Sequence, residues 1–198
     1  MSRRHSYLAR KVLPHALGMR TRPARGFTLV ELMIVVAIVA VLAAIAVFAV
    51  QRYLFAAKSS EAINLIGSIK SAQEAYKDET FTYLDVTGDI DKFYPQSPVG
   101  KREKVTWGGD GPGEANWKIL GVTTNQPVQY GYACVAGAAG KSPPSVGTTP
   151  EFTWPSDDAI TGPWYVVKAI GDQDGDSEES IFVGSSFTSD IYVENDAE

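Results

Sequence analysis

The sequence predicts an α+β fold in which one long N-terminal helix packs on an antiparallel β-sheet. Residues 32–50 form 19 consecutive apolar residues, which is long enough for a helix that crosses a bilayer. Helical spacing of apolar residues continues to about residue 77, and short segments of strand-like composition follow. A long helix followed by several short strands is typical of an α+β domain.

The helix is predicted in two parts, an apolar part at residues 27–50 and an amphipathic continuation at residues 51–77. With a rise of about 1.5 Å per residue, 19 to 24 residues span roughly 29–36 Å, enough to cross the apolar core of a membrane. The second part carries one apolar stripe and therefore needs a sheet to pack against. The stripe consists of Ala62, Leu65, Ile66, Ile69, Ala72 and Tyr76.

Residues 78–198 are predicted to form a globular β domain. Segments 78–116 and 137–163 are rich in Gly, Pro, Ser and Thr and are expected to be loops, the second of them on the surface. Strands are expected where β-branched and aromatic residues lie between turn signals. These segments are Lys104–Trp107, Trp117–Leu120, Val128–Val135, Trp164–Ile170, Ser180–Gly184 and Ile191–Val193.

Charge is distributed unevenly along the 198 residues. Residues 1–26 carry seven Lys and Arg and no Asp or Glu, and because the whole chain is −5, residues 27–198 sum to −12. A basic N-terminus before an apolar run is typical of a membrane-targeting segment whose basic side stays in the cytoplasm. The acidic remainder argues against nucleic acid as a partner, because that binding needs a basic surface.

The composition also argues against an enzyme. Both histidines, His5 and His15, lie in the basic segment, so its removal leaves a product without histidine. Such a product has no Ser-His-Asp, Cys-His or His-ligated zinc chemistry. Cys134 is the only cysteine, which excludes an intramolecular disulfide. Its apolar context predicts a buried, inert thiol.

The start of the apolar run reads Arg25-Gly26-Phe27-Thr28-Leu29-Val30-Glu31-Leu32. This string resembles the motif of type IV prepilins, which type IV pilins, minor pilins and type II secretion pseudopilins share. The resemblance covers about residues 22–55. It implies a type IVa-like, pilin-like α+β fold, cleavage between Gly26 and Phe27 by a prepilin peptidase, and N-methylation of Phe27.

Residues 1–26 are interpreted as the leader that this peptidase removes. A leader of 26 residues is long for pilins that begin with Phe, whereas a start at Met19 leaves the short basic leader typical of the type IVa group. We therefore expect the true start to be Met19. Detection of an unprocessed precursor that begins at Met1 would contradict this expectation.

Glu31 is the candidate assembly residue. After cleavage it is the fifth residue of the chain, and a carboxylate within an apolar helix usually has a partner. The expected partner is the Phe27 ammonium, either of the same copy or of a neighbouring one, and the pair would set axial register. Many relatives carry Pro and Gly where this sequence has Phe48 and Ala40, so an unbroken helix is expected.

A cluster of acidic residues between the fourth and fifth strand segments is a candidate calcium site. Alternate carboxylates in a tight turn offer the oxygen ligands that a hard cation prefers, and Gly175 permits a sharp backbone path. The alternative is a solvated acidic turn, and the spacing does not match an EF-hand. The candidate ligands are Asp172, Asp174, Asp176 and Glu178.

The sequence predicts a structural subunit of a type IV pilus or related filament, with no catalytic residue. The resemblance implies as partners related pilin subunits, a prepilin peptidase, the inner-membrane assembly machinery and, before assembly, the lipid bilayer. The chain would lie in the bacterial inner membrane as a single pass and later in a surface pilus or a periplasmic pseudopilus. The alternatives are a type II secretion pseudopilin and a DNA-uptake minor pilin, for which Lys101, Arg102 and Lys104 offer a local basic patch.

Overall fold

The computed structural model describes residues 26–95, 103–173, 175 and 177–195. The leader, with Met19 and both histidines, lies outside the described residues, and so do Lys101, Arg102, Asp174 and Asp176. The chain divides into two compact units, the first ending at Ala43 and the second beginning at Ala44.

Helix α1 spans Leu29–Thr80 without interruption, as the sequence predicts. Its first 38 residues contain neither Gly nor Pro, so no residue in that stretch breaks the backbone ladder. The helix ends three residues beyond the predicted end at Lys77. At that point Phe81 takes a left-handed conformation, with φ of 60°, while its N–H still donates to the Lys77 carbonyl at 2.8 Å.

Four antiparallel strands follow in the order β1-β2-β3-β4, which confirms the predicted sheet. The strands are β1 (Gly131–Gly137), β2 (Trp164–Gly171), β3 (Ser180–Ser185) and β4 (Tyr192–Glu194). Strand β1 begins three residues later than predicted, because Val128 pairs instead with Val105 in an isolated bridge. At Lys104–Trp107, where a strand was predicted, the structure has only this bridge.

One face of the sheet packs on the amphipathic part of α1. Alternation along the strands turns every second residue towards the helix, and the buried part of the apolar stripe of α1 meets them there. The stripe is confirmed: Ala62, Leu65, Ile66 and Ile69 are buried, and Ala72 and Tyr76 are partly buried. The facing strand residues are Tyr132, Cys134, Tyr165, Val167, Ala169 and Phe182.

The other face of the sheet is also buried, beneath the segment between β1 and β2. Its apolar residues form a second cluster that includes Val135, Val166 and Ile170. The covering segment contributes Val146 and Ile160, and a short 3₁₀-helix, Asp157–Ala159, lies within it. The prediction of a surface loop at 137–163 is therefore wrong in part, since this loop completes a core layer.

The strand predicted at Trp117–Leu120 is wrong. These residues form the end of helix α2 (Glu114–Leu120). Gly113 and Gly121, both with φ of 74°, flank the helix in left-handed conformations that glycine adopts without strain. Trp117 and Leu120 are three residues apart and are both buried, which is helical spacing.

Candidate functional site

The predicted cleavage site lies in irregular backbone directly before α1. Residues 26–28 have no regular secondary structure, and a Cβ placed on Gly26 would meet no atom within 4 Å. The side chain of Phe27 is 83% exposed. The peptide bond between Gly26 and Phe27 is therefore not part of the helical hydrogen-bond ladder, and its surroundings are open.

Glu31 closes a capping box at the start of α1. The backbone N–H and the hydroxyl of Thr28 donate to Glu31 Oε2 at 2.9 and 2.8 Å, and the Glu31 N–H donates to Thr28 Oγ1 at 3.2 Å. Thr28 directly precedes the first helical residue, and a Thr with Glu three residues later is the sequence pattern of this cap. Within the chain the carboxylate thus has Thr28 as its partner. The pairing with the Phe27 ammonium stays a prediction.

The apolar part of α1 presents its side chains to solvent all round. Large apolar residues from Leu29 to Val50 are between 49% and 78% exposed. By length and composition α1 can span a membrane. Because isolated soluble proteins rarely expose an apolar surface of this extent, lipid or other protein chains must cover it.

The acidic turn between β2 and β3 uses Asp172 to hold its backbone. This buried carboxylate accepts the N–H of Gly175 at 2.6 Å through Oδ1 and the N–H of Ser177 at 3.1 Å through Oδ2. Glu178 is exposed. Among the residues that the structure describes, no three metal-ligating side chains gather. Asp174 and Asp176 lie outside those residues, so calcium binding stays a prediction.

The acidic turn is joined to α1 by a long-range hydrogen bond. Lys58 Nζ donates to the backbone carbonyl of Gln173 at 3.1 Å. Lys58 follows the apolar run by eight residues, so the turn lies next to the part of α1 that comes soon after the predicted membrane segment. Nothing in the spacing of the acidic residues predicts this contact.

Several buried polar side chains were not predicted from the sequence, among them Gln73 and Lys168. Gln73 lies on α1 and is fully buried where α1 packs on β1. Lys168 is buried on the face of β2 that points away from α1. Gln73 follows Ile66 and Ile69 at helical spacing, a signal that could have placed it in the stripe. The burial of Lys168 could have been predicted from the alternation along β2, because Val166 and Ile170 share its face.

Cys134 lies in β1 as a buried thiol, as predicted. Burial raises its pKa to about 12, although the side-chain amide of Gln73, which donates to Sγ at 3.1 Å, acts in the opposite direction. The thiol is therefore protonated at neutral pH. Since the thiolate is the reactive form, this cysteine is chemically inert in the folded chain.

Two comparisons with known proteins found similar sequences. Residues 21–47 match the family described as "Prokaryotic N-terminal methylation motif". Over 52 residues the chain is 54% identical to the fimbrial protein EcpC of Eikenella corrodens, a match that covers 26% of this chain and 34% of that protein. The match thus spans about a third of the curated relative. No solved structure matches the chain.

The family match includes Gly26, Phe27 and Glu31 and most of the apolar run that follows them. The chain is thus similar over residues 21–47 to proteins with the methylation motif and over 52 residues to a fimbrial protein, and its long helix followed by an antiparallel sheet is the predicted pilin-like arrangement.

Proposed function

We propose that this chain is a structural subunit of a type IV pilus, made as a precursor, cut between Gly26 and Phe27 and polymerised through α1. The observation that carries the proposal is the helix itself: an apolar run, exposed all round, begins five residues after Phe27 and lies mostly within the residues that match the methylation motif. Before assembly the bilayer covers this surface, and in the filament the same helices of other copies cover it.

The capping box suggests how Glu31 contributes to assembly. Both Thr28 donors bind the same carboxylate oxygen, Oε2. The second oxygen, Oε1, is then the one to accept the Phe27 ammonium of an adjoining copy once the leader is removed. A charge-assisted bond of this kind is strong in apolar surroundings and would select one axial register among sliding helices.

A role in a pilus fits better than the alternatives. The relative that is 54% identical over 52 residues is a fimbrial protein, which favours a pilus over a type II secretion pseudopilus. The charge of −12 on residues 27–198 disfavours a filament that takes up DNA. The absence of histidine after residue 15 disfavours an anchored enzyme with His-based chemistry. We propose the inner membrane for the precursor and the cell surface for the filament.

The test is expression of the full chain in a piliated bacterium from which the corresponding subunit gene is deleted. We expect sheared filaments that contain a chain beginning at methylated Phe27 by mass. Replacement of Gly26 with Val should leave the precursor uncut and the surface bare. Gly67→Ala is the matched control, because Gly67 is another open glycine and lies within α1.

Two results would refute the proposal. In one, the filaments form at normal levels without the chain. In the other, surface filaments persist after deletion of the gene while protein secretion stops, which would identify a pseudopilin.

A further inference from the structure

Phe81 has an exposed apolar side chain and a left-handed backbone, and both are unfavourable in the isolated chain. Its side chain is 86% exposed, although it is a large apolar group. Its backbone lies in the left-handed region, with φ of 60°, directly after the end of α1. Helices commonly end with a residue in this conformation, but that residue is usually glycine, because a side chain is disfavoured there.

A strained, exposed aromatic residue at a helix end suggests a contact outside its own chain. The residues on either side of Phe81 are anchored. Lys77 Nζ donates to the hydroxyl of Tyr83 at 2.9 Å, and the Tyr83 ring packs edge-on against Tyr165 at 4.7 Å between centroids. Phe81 is therefore held outward on firm backbone, and inserting it into a partner would require little ordering.

The second unit of the same chain also carries an apolar hollow, which we call the aromatic cavity. It has a volume of about 290 Å³. Its walls include three rings, those of Tyr94, Trp107 and Trp117, and exposed residues at its rim include Gly121 and Thr123. Trp107 is only partly buried, so an aromatic surface remains accessible.

The packing of the three rings indicates what the aromatic cavity accepts. Tyr94 and Trp117 each meet Trp107 edge to face, at 5.0 and 5.4 Å between centroids. Rings this close touch one another, so the cavity lies beside them and does not form a cage around a cation. Another aromatic ring can add to the cluster edge to face. At the rim, Lys118 is paired with Glu114, so an apolar group meets no unpaired lysine there.

We propose that Phe81 of one copy inserts into the aromatic cavity of a second copy of this chain. The inference rests on the proposed function, since it places this contact in the filament. The donor residue and the cavity are different surfaces of one chain, so the contact is heterologous. A heterologous contact that does not close a ring repeats without end and builds an open helical filament.

The first experiment compares the stability of the free subunit with that of the filament. Phe81→Gly relieves the left-handed strain, so the melting temperature of the full chain in detergent should rise or stay the same. Sheared filaments of this variant should release at least fivefold more subunit than wild type on mild heating. Ile119→Ala is the control, since Ile119 is also exposed, at 60%, and does not line the aromatic cavity.

The second experiment tests the contact directly by disulfide cross-linking. Thr82→Cys and Thr123→Cys are introduced into one chain, which keeps Phe81 and places one thiol beside it and one at the cavity rim. Oxidised filaments should give a ladder of linked copies, whereas either single variant should not. Native Cys134 is buried and does not interfere. Adding Phe81→Gly to the double-cysteine chain should abolish the ladder.

Intact filaments without a ladder, or Phe81→Gly filaments as heat-resistant as wild type, would overturn the inference and leave the proposed function standing. A failure of the proposed function is distinguishable, because the wild-type chain would then be missing from sheared filaments altogether.

Discussion

The side-chain amide of Gln73 on α1 exchanges two hydrogen bonds with the backbone of Leu84. Gln73 Nε2 donates to the Leu84 carbonyl at 2.8 Å, and the Leu84 N–H donates to Gln73 Oε1 at 2.9 Å. This pair closes the chain reversal that follows α1 and brings the segment after Phe81 back onto the helix. A buried side chain here replaces the backbone partner that a strand or helix would provide.

Replacing Gln73 with Leu should destabilise the fold more than its modest change in size suggests. The N–H and carbonyl of Leu84 would lose their partners in a partly buried setting, and each such group costs about 1–3 kcal/mol. We expect a loss of about 2–4 kcal/mol in the free energy of unfolding, measured by urea titration of the full chain in detergent. Ser71→Ala, an exposed change on the same helix, should stay within about 0.5 kcal/mol. A loss below that limit for Gln73→Leu would show that Leu84 finds other partners.

The ion pair on the outer face of β2 joins a buried cation to an exposed anion. Lys168 Nζ lies 2.9 Å from Asp91 Oδ1, with side chains 6% and 71% exposed. Because water screens Asp91, Asp91→Asn should cost only about 1 kcal/mol of unfolding free energy. Lys168→Met removes the buried charge and should restore that loss in the double variant. If the double variant is less stable than Asp91→Asn alone, Lys168 contributes through contacts other than the ion pair.

Glu61 should make stability depend on pH. Burial raises its pKa above the ordinary value of 4.5, although the Gln129 N–H, which donates to Oε1 at 2.7 Å, acts against the shift. Since the folded carboxyl has the higher pKa, the folded state holds this proton more tightly. Its contribution to stability is therefore fully present below pH 4.5 and is lost as pH rises through the folded pKa.

Glu61→Gln keeps the acceptor for Gln129 and removes the ionisation. The melting temperature of this variant minus that of wild type should increase as pH rises above 4.5 and level off once wild-type Glu61 is ionised. The measurement is a series of thermal melts from pH 3.5 to 8 in one detergent. Ser71→Ala, an exposed change on the same helix that alters no ionisable group, serves as the control and should give a flat difference. A difference that falls with pH would mean that the ionised carboxylate is the stabilised form.

Calcium binding at the acidic turn can be tested separately from the role of Asp172 in holding the backbone of that turn. Loss of the two hydrogen bonds to Gly175 and Ser177 in Asp172→Ala should lower stability by about 1–2 kcal/mol even with a chelator present. If calcium binds, it should raise the wild-type melting temperature and leave that of Asp172→Ala unchanged. Magnesium serves as the comparison, because it prefers smaller octahedral sites. No calcium heat and no shift with wild type would end the metal hypothesis.

Local signals made the helix and most strands predictable. Helix α1 has a continuous apolar run followed by a stripe, and β2 and β3 have β-branched residues between turn residues. The error at α2 arose because the short segment Trp117–Leu120 carries too few residues to separate helical from strand spacing. The better signal for α2 was the pair of flanking glycines, Gly113 and Gly121, which lie at its two ends.

The residues of the candidate assembly site could be predicted from the sequence, but their geometry could not. The residues Gly26, Phe27 and Glu31 follow from a short motif, but the oxygen of Glu31 that binds Thr28 is a feature of the folded helix start. The acidic turn shows the same division. Its carboxylates are evident in the sequence, whereas the use of Asp172 as a buried acceptor depends on how the backbone turns after β2.

The sequence alone determined the continuous apolar helix and the alternating strands, because each depends on neighbours within a few residues. Only the tertiary structure decided that the loop between β1 and β2 completes a second core layer, that Gln73 binds Leu84, and that Phe81 stays outside while Tyr83 is buried. Those outcomes depend on contacts between distant parts of the chain, which compete for the same buried space and the same hydrogen-bond partners.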